Sequence, residues 1–232
     1  MVSILTLTYQ RHHLLEEAIQ SYLLQLKGYE TVSEMVIIND SPDVEYVFHH
    51  PNVKIINLKQ RFSSVGKKLE WGFTQCRYNW IYRLDDDDLL SPWALEINQG
   101  YRTAYPNKDI LRDQKHYFYS HNKYQGLADS INNGNCYNSN YIKRLGSIID
   151  KSIGEDNWLT FHNGGDIHIG DTGKYTMIYR WGMGTYHISG MGDKPNEEIY
   201  SKVDVSNTEK GIIELKPHFK ENYWSQLPLY QE

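Results

Sequence analysis

The sequence contains few cysteines and lacks an apolar segment of membrane-spanning length. Cys76 and Cys136 are its two cysteines, and their spacing matches neither a metal-binding motif nor a disulfide framework. No stretch approaches the roughly 18 to 20 apolar residues that a transmembrane helix requires. The first residues, Met1 to Tyr9, lack the basic start of a signal peptide and have the pattern of a strand. We therefore expect two free thiols, no integral membrane insertion and a cytoplasmic location.

A strong positive charge and a phosphate-binding loop are also absent from the sequence. The net charge of −5 argues against nucleic acid or an anionic membrane as a general partner, although a local basic groove is compatible with that total. The segment Gly170 to Lys174 lacks the Gly-x-x-x-x-Gly-Lys spacing of a P-loop and is typical of a turn between hairpin strands. Aromatic residues, in contrast, are abundant, with 19 Tyr and 6 Trp. Their rings stack on sugars and bases but also fill cores, so they favour such ligands without specifying one.

The first ninety residues alternate strand-like and helix-like segments. Val2 to Thr8 alternates in polarity as a strand does, and His13 to Leu26 has apolar residues at helical spacing. Similar patterns predict strands at Met35 to Ile38, Val53 to Leu58 and Trp80 to Leu84, and a helix at Gly66 to Gln75. This order predicts an α/β fold with a mostly parallel central sheet flanked by helices.

Four consecutive aspartates, Asp85 to Asp88, follow the last of these predicted strands. Adjacent carboxylates repel one another, and the repulsion grows as water is excluded. A bound cation would relieve it, and carboxylate oxygens suit Mg²⁺ and Mn²⁺. A solvated acidic turn, or a cap for the helix that begins near Pro92, would explain the same residues. Polar residues also end two other strands, at Thr8 and Asp40, and ligands of parallel sheets bind at that edge.

Three blocks of residues occur in a characteristic order: VSILTLTYQR, MVIINDSPD and YRLDDDDLLSP. Between the last two, SVGKKLEWG resembles a helix start written Gly-x-x-x-Asn-x-Gly, with Glu70 and Trp71 in place of the usual pair near the asparagine. Together these segments resemble family 2 glycosyltransferases, which have the A-type, Rossmann-like fold. The resemblance is strong over residues 1 to 95 and thin beyond them. It departs from the family pattern at Leu7, where proline is usual, and at Gln10, where asparagine is usual.

The resemblance implies a nucleotide-sugar site in the first half of the chain. Thr8 and Tyr9 would line the nucleobase pocket, and Arg11 would help to close it. Asp40 would accept a hydrogen bond from the base, as expected for uracil. Lys67 would lie near the ribose or the diphosphate.

The resemblance also implies a metal site in the aspartate run. Asp85 and Asp87 would form an Asp-x-Asp pair, with Asp87 as a direct ligand of Mn²⁺ or Mg²⁺ and with Asp85 and Asp86 facing the nucleotide-sugar. The run of four permits a second register, with Asp86 and Asp88 as the pair. In several A-type enzymes a C-terminal histidine completes the metal site, and His187 occupies the corresponding part of this sequence. His168 is a further candidate, whereas the adjacent histidines at 12–13 and 49–50 are interpreted as surface pairs.

Glu155 and Asp156 resemble the family's Glu-Asp motif. An inverting transfer is an in-line attack by a hydroxyl that is too weakly acidic to react without a base. Asp156 would be that base and Glu155 an orienting neighbour. The same residues also suit the first turn of a helix, where acidic side chains interact well with the helix dipole.

These features predict an inverting, metal-dependent glycosyltransferase that uses a UDP-sugar. We predict a single domain over residues 1–232, with a nucleotide-sugar-binding half (1–106) and a less regular acceptor-binding and lid half (107–232). The acceptor expected is a surface glycan or lipid-linked glycan. A hydroxymethylated DNA base, as used by bacteriophage enzymes, is the alternative.

Two other function classes remain compatible with the sequence. A nucleotidyltransferase would also use aspartates and a metal, but TLTYQRHH lacks the glycine-rich loop that such enzymes carry after the first strand. A non-catalytic nucleotide-sugar-binding module would share the fold, but the intact acidic motifs argue against it.

Overall fold

The computed structural model describes residues 1–129, 132–181 and 209–230. Its elements, in chain order, are β1 (Val2–Thr8), α1 (His12–Leu23), β2 (Ser33–Asn39), β3 (Val44–Val47), β4 (Val53–Asn57), α2 (Val65–Gln75), β5 (Trp80–Arg83), β6 (Leu89–Leu90), α3 (Ala94–Ala104), β7 (Ile110–Asp113), β8 (Lys115–Ser120), β9 (Lys123–Asp129), β10 (Cys136–Asn138), α4 (Ser139–Leu145), α5 (Glu155–Phe161), β11 (Ile167–Gly170), β12 (Met177–Trp181) and β13 (Gly211–Glu214). A short 3₁₀ turn, Trp224–Gln226, follows. No helix in these described ranges has the length and apolar character needed to cross a bilayer.

A seven-stranded sheet forms the framework, in the order β11-β7-β10-β5-β1-β2-β4. Its strands are parallel to their neighbours except for β10, which runs antiparallel to β5 and to β7. The predicted α/β fold with a mostly parallel sheet is confirmed. Three strands of this sheet, β7, β10 and β11, come from beyond residue 106, so the sheet is continuous across the two predicted halves.

The two faces of the sheet bury alternate residues of each strand, as a period of two requires. On β1, Val2 and Ile4 pack in a core with α1 and α3, whereas Leu5 and Leu7 pack in a second core with α2, α4 and α5. The helix α1 ends three residues before the predicted Leu26 because the chain tightens there into i→i+3 hydrogen bonds. Helices therefore cover both faces.

The second half is more regular than the sequence predicted. Its strands β8, β9 and β12 form a four-stranded sheet with β6 of the first half, in the order β6-β12-β8-β9. The strands β11 and β12 belong to different sheets, so the prediction of a hairpin turn at Gly170 to Lys174 is wrong. A side chain at Gly170 would meet the hydroxyl of Tyr101 at 2.1 Å, so this glycine allows close packing against α3 where the chain leaves the first sheet.

The described C-terminal segment, residues 209–230, returns to the first half. Its strand β13 pairs in parallel with β3, and Leu215 enters the core beside α1. Further along, Tyr223 and Trp224 pack in an aromatic cluster with Tyr117, and the indole of Trp224 donates to the carbonyl of Leu90 at 3.1 Å. The first and last described parts of the chain therefore share a core.

Candidate active site

Three neighbouring strands end at one edge of the seven-stranded sheet, and each brings a polar residue there. Thr8 at the end of β1 is in register with Asn39 at the end of β2, and Leu5 is in register with Arg83 at the end of β5. Asp40 directly follows β2, and the four aspartates closely follow β5. The carboxyl edge of the sheet therefore gathers most of the polar residues that the sequence singles out.

The aspartates form a tight turn that separates their side chains into two groups. The amide of Asp88 donates to the carbonyl of Asp85 at 3.1 Å. Asp85, Asp87 and Asp88 each offer a carboxylate oxygen, and these three oxygens lie within 4.8 Å of one another. Asp86 is directed instead towards Arg11. The cluster therefore holds both residues of the first register, Asp85 and Asp87, together with Asp88 of the second.

Arg11 binds the aspartate turn from the loop after β1. Its Nε donates to Asp86 at 3.1 Å and its NH1 donates to Asp87 at 3.0 Å, and its NH2 also contacts Asp86. Burial alone would lower the pKa of Arg11, but the charges of Asp86 and Asp87 outweigh it and raise the pKa. The guanidinium therefore fixes the turn to β1 and compensates part of its negative charge.

Burial makes this turn electrostatically costly. It raises the pKa of Asp86 to about 6, even though Arg11 acts to lower it. Burial, followed by the charges of Asp87 and Asp85, raises the pKa of Asp88 well above its ordinary value. Asp88 also accepts hydrogen bonds from the amide of Arg180, at 2.9 Å, and from the side chain of Asn133. A divalent cation would offset the remaining repulsion, and clustered carboxylate oxygens are the ligands that Mg²⁺ and Mn²⁺ favour. The residues present therefore fit such an ion.

Asp40 lies in a buried pocket between β1 and α2. Its carboxylate accepts hydrogen bonds from the ammonium of Lys68 and, at 3.1 Å, from the amide of Phe62. Lys68 also donates to the carbonyl of Thr8 at 2.6 Å, and burial lowers the pKa of its ammonium. The predicted basic residue, Lys67, points elsewhere and contacts Glu70 and a serine of the loop after α4. The structure thus brings Lys68, and not Lys67, to the strand ends.

The loop after β1 also holds Tyr9 and Gln10 at this edge. The guanidinium of Arg61 lies 4.1 Å from the centre of the Tyr9 ring. Gln10 has a φ of 52°, a left-handed conformation in which asparagine is enriched among non-glycine residues. The amide of Gln10 donates to Ser41 at 3.1 Å and so joins this loop to the end of β2. The backbone conformation explains why the family usually has asparagine here.

Glu155 and Asp156 form the first turn of α5, as their acidic character favours. Glu155 is buried, and burial raises its pKa although Arg83 acts to lower it. The NH2 of Arg83 donates to Glu155 at 3.0 Å, and its Nε donates to Asp85 at 3.2 Å. Asp156 is partly exposed and accepts a hydrogen bond from the amide of Asn157 at 2.7 Å. One arginine therefore joins the Glu-Asp motif to the aspartate turn.

The loop that leads to α5 is bound to the start of α2. The amide of Gly66 donates to the carbonyl of Lys151 at 2.9 Å, and Ser64 donates to Asp150 at 2.6 Å. Glu70, one turn later, accepts from the amide of Ile148 at 2.7 Å. The helix that carries Lys68 thus also positions the segment that leads to Asp156.

The predicted histidines have different positions. His187 lies outside the described residues. His168 stacks on Tyr105, with ring centres 3.6 Å apart, on the edge strand β11. It is absent from the possible metal-binding groups found among the described residues. His12 is half-exposed and contacts Glu209 at 2.7 Å.

Lys68 and Arg83 are the two site residues that the sequence reasoning missed. Lys68 lies one helical turn before Gly72, where a side chain would meet Leu5 at 3.1 Å. Residues four apart lie on the same face of a helix, so Lys68 lies on the face of Gly72, which faces the sheet. This spacing would have identified Lys68 as the lysine that points inward. For Arg83, the signal was a charged residue inside an otherwise apolar buried strand, which requires a partner.

Comparisons with known proteins show which family and fold the chain resembles. The family described as "Glycosyl transferase family 2" matches residues 3–125. An "Uncharacterized glycosyltransferase" of Haemophilus influenzae is 28% identical over 107 residues, which are 43% of this chain and 39% of that protein. The chain therefore spans about two fifths of that relative's length.

Solved structures of S. aureus TarS share the fold. TarS 1–349 in complex with UDP-GlcNAc has a TM-score of 0.65 at 15% identity, over 90% of this chain and 68% of that one. TarS 1–349 in complex with UDP has a TM-score of 0.60 at 16% identity, over 77% of this chain and 60% of that one.

Proposed function

Because the chain belongs to glycosyl transferase family 2, we propose that it transfers a sugar from a UDP-sugar to an acceptor hydroxyl, with a divalent cation and with inversion at the anomeric carbon. The observation that carries this proposal is the group of Asp85, Asp87 and Asp88 oxygens at the carboxyl edge of the sheet. Ligands of open α/β sheets bind at this edge. Residues 1–106 would bind the donor, and residues 107–232 would supply the base and the acceptor surface.

UDP-GlcNAc is the first donor to consider, since TarS structures of the same fold hold UDP and UDP-GlcNAc. Asp40 would accept a hydrogen bond from the uracil ring, because an ionised carboxylate has about four acceptor positions and Lys68 and Phe62 occupy two. Thr8 and Tyr9 would line the base, and Arg11 would close the pocket. We assign to Lys68 the basic role that the resemblance implied for Lys67.

Asp85 and Asp87 would hold Mn²⁺ or Mg²⁺ beside the diphosphate, with His187 as a further ligand. When bound, the ion would act as a Lewis acid that stabilises the charge on the departing UDP. Arg11 compensates Asp86 and Asp87 within the turn, so the carboxylates can stay clustered before the ion binds. Asp86 would stabilise the turn through this ion pair and face the nucleotide-sugar.

Asp156 would remove the proton from the acceptor hydroxyl as it attacks the anomeric carbon. Partial exposure suits this role, because the acceptor must reach the carboxylate from outside. Glu155 would orient this turn through its contact with Arg83. A net charge of −5 disfavours a polyanionic acceptor such as DNA, so we propose a glycan or lipid-linked glycan, as in surface glycan synthesis.

Calorimetric titration with UDP-GlcNAc and other nucleotide-sugars, with and without Mn²⁺, tests this proposal. We expect binding of a UDP-sugar that requires Mn²⁺, and Asp87→Ala should weaken it at least about tenfold, since even the groups that orient a metal's ligands contribute that much. Asp166→Ala is the matched control, because Asp166 is an exposed carboxylate that pairs with Lys108. Equal affinity in wild type and Asp87→Ala would contradict the metal assignment.

A further inference from the structure

Arg83 is a buried cation shared by two carboxylates from distant parts of the chain. Its Nε contacts Asp85 in the aspartate turn, and its NH2 contacts Glu155, 72 residues later in the sequence. The side chains of Arg83 and Glu155 are each 6% exposed, so solvent screens their contact little. The guanidinium therefore joins the aspartate turn to the first residue of the Glu-Asp motif.

The backbone of Arg83 is hydrogen-bonded on both of its polar groups. Its amide donates to Asn135 at 2.9 Å, and its carbonyl accepts from Gly134 at 3.0 Å. Burial opposes the charge on Arg83, but Asp85, Glu155 and Asp156 outweigh it and raise its pKa well above the ordinary value. All three acidic residues therefore interact with the same positive charge.

The third nitrogen of Arg83, NH1, is buried and has no hydrogen-bond partner among the described residues. An unpaired buried donor costs about 1–3 kcal/mol, so a purely structural arginine is expected to have its donors satisfied. Arg83 thus keeps one donor that neither Asp85 nor Glu155 uses.

We propose that Arg83 is a positioning residue that couples occupation of the aspartate cluster to the placement of Glu155 and Asp156. This inference rests on the proposed function. A cation that binds Asp85 competes with Arg83 for that carboxylate and leaves the guanidinium to bind Glu155 more strongly. Glu155 begins the turn that carries Asp156, so the candidate base is held in place when the donor's metal is bound. Such a coupling is reciprocal, so changes at Glu155 must alter metal affinity.

The test measures Mn²⁺ affinity without nucleotide in wild type, Glu155→Gln, Arg83→Gln and the double variant. Glu155→Gln should weaken Mn²⁺ binding about fivefold or more, because Arg83 then binds Asp85 alone and competes better with the ion. In the Arg83→Gln background the same change should have a clearly smaller effect. An equal effect in both backgrounds would overturn the proposal.

Arg83→Gln alone gives a second, opposite-signed readout. The Arg83→Gln variant should bind Mn²⁺ more tightly than wild type, because a competing cation is gone. Its turnover should nevertheless be at least about tenfold slower, and its KM for the donor should change less than threefold. A purely structural role would instead weaken both binding and turnover. Arg144→Gln is the matched control, since Arg144 pairs with Asp109 at the surface.

Arg83→Lys covers the case in which Arg83→Gln does not fold. Lysine keeps the positive charge but lacks the planar guanidinium group that contacts two carboxylates at once. In the Arg83→Lys background, Glu155→Gln should therefore change Mn²⁺ affinity less than it does in wild type. An undiminished effect in folded Arg83→Lys would overturn the proposal. Failure of wild type to bind Mn²⁺ and any UDP-sugar would instead contradict the proposed function itself.

Discussion

Two adjacent lysines at the start of α2 occupy opposite environments. Lys68 is buried against Asp40 and Thr8, whereas Lys67 is about one third exposed and pairs with Glu70. A step of one residue turns a helical side chain by about 100°, so one of two neighbours faces the sheet and the other faces solvent. The proposed nucleotide site therefore depends on which lysine points inward.

Methionine substitutions distinguish the contributions of these two lysines to stability and to UDP binding. Lys68→Met should lower the free energy of unfolding by about 3–5 kcal/mol, because it leaves the buried Asp40 carboxylate without its partner. Lys67→Met should change it by about 1 kcal/mol or less, since its ion pair is partly exposed. Urea unfolding measures both values, and UDP affinity should fall in the first variant only. A weaker affinity for UDP in Lys67→Met would return the basic role to Lys67.

Part of the candidate site could be predicted from the sequence, because ligands of parallel sheets bind at the edge where the strands end. Thr8, Asp40 and the aspartates follow apolar strands, and the structure gathers them at one edge. The contacts of Arg83 and Lys68 could not be derived in this way. They depend on three-dimensional neighbours, since Glu155 is 72 residues from Arg83, and Asp40 is 28 residues from Lys68.

At the scale of elements, α2 connects the two sides of the candidate site. Its sheet-facing Lys68 binds the end of β2, and its first turn binds the loop from Ser147 to Ser152 that leads to α5. This contact requires a glycine at position 66, because a Cβ there would lie 2.0 Å from the carbonyl oxygen of Ile149. Movement of α2 would therefore displace both Asp40, which belongs to the proposed nucleobase pocket, and the Glu-Asp motif.

Gly66→Ala tests this connection. The added methyl group must displace backbone, so we expect a loss of about 1–3 kcal/mol in the free energy of unfolding and slower turnover from a misplaced Asp156. Gly100→Ala is the matched control within α3, where a Cβ meets no atom within 4 Å. That change should stabilise the protein by about 0.4–1 kcal/mol. Thermal unfolding and UDP release in both variants provide the measurement, and equal behaviour would exclude a close contact at Gly66.

Six elements of the first half, namely β1, α1, β2, β4, α2 and β5, were predicted to within a few residues, whereas β3, β6 and several elements of the second half were not. Val2–Thr8 and the helix ending at Gln75 have clear periodicity and long apolar runs. The strands β8 and β9 are rich in Tyr, Lys and Gln and pair largely with each other, so their burial depends on tertiary contacts. Short strands such as β3 pair with β13, far away in the sequence, and carry almost no local signal.

At the scale of the whole molecule, Glu17 connects three distant parts of the chain. It lies in α1, contacts the side chain of Arg180 in β12, and accepts from the amide of Lys220 at 2.9 Å and the hydroxyl of Tyr223 at 2.8 Å. Arg180 in turn donates to the carbonyl of Asp87. The C-terminal segment is thereby connected to the aspartate turn through buried charges.

Glu17→Gln should therefore destabilise the whole fold. Removal of the negative charge leaves the buried Arg180 unpaired, at an expected cost of about 3–5 kcal/mol. The exposed pair of Lys108 and Asp166 provides the control, since Asp166→Asn should cost about 1 kcal/mol or less. Urea unfolding followed by tryptophan fluorescence reports on both. Similar midpoints for the two variants would mean that the Glu17 network contributes little.

The position of β10 between β5 and β7 affects how the protein is made. Cys136, which pairs with Tyr82 of β5, is about fifty residues further along the chain. A ribosome adding about 5–20 residues per second would need roughly 3 to 10 s to synthesise that interval. Until then the nascent chain has an unpaired strand edge, a surface that other chains can join. We therefore expect the yield of folded protein to depend on protection of this edge during translation as well as on the stability of the finished sheet.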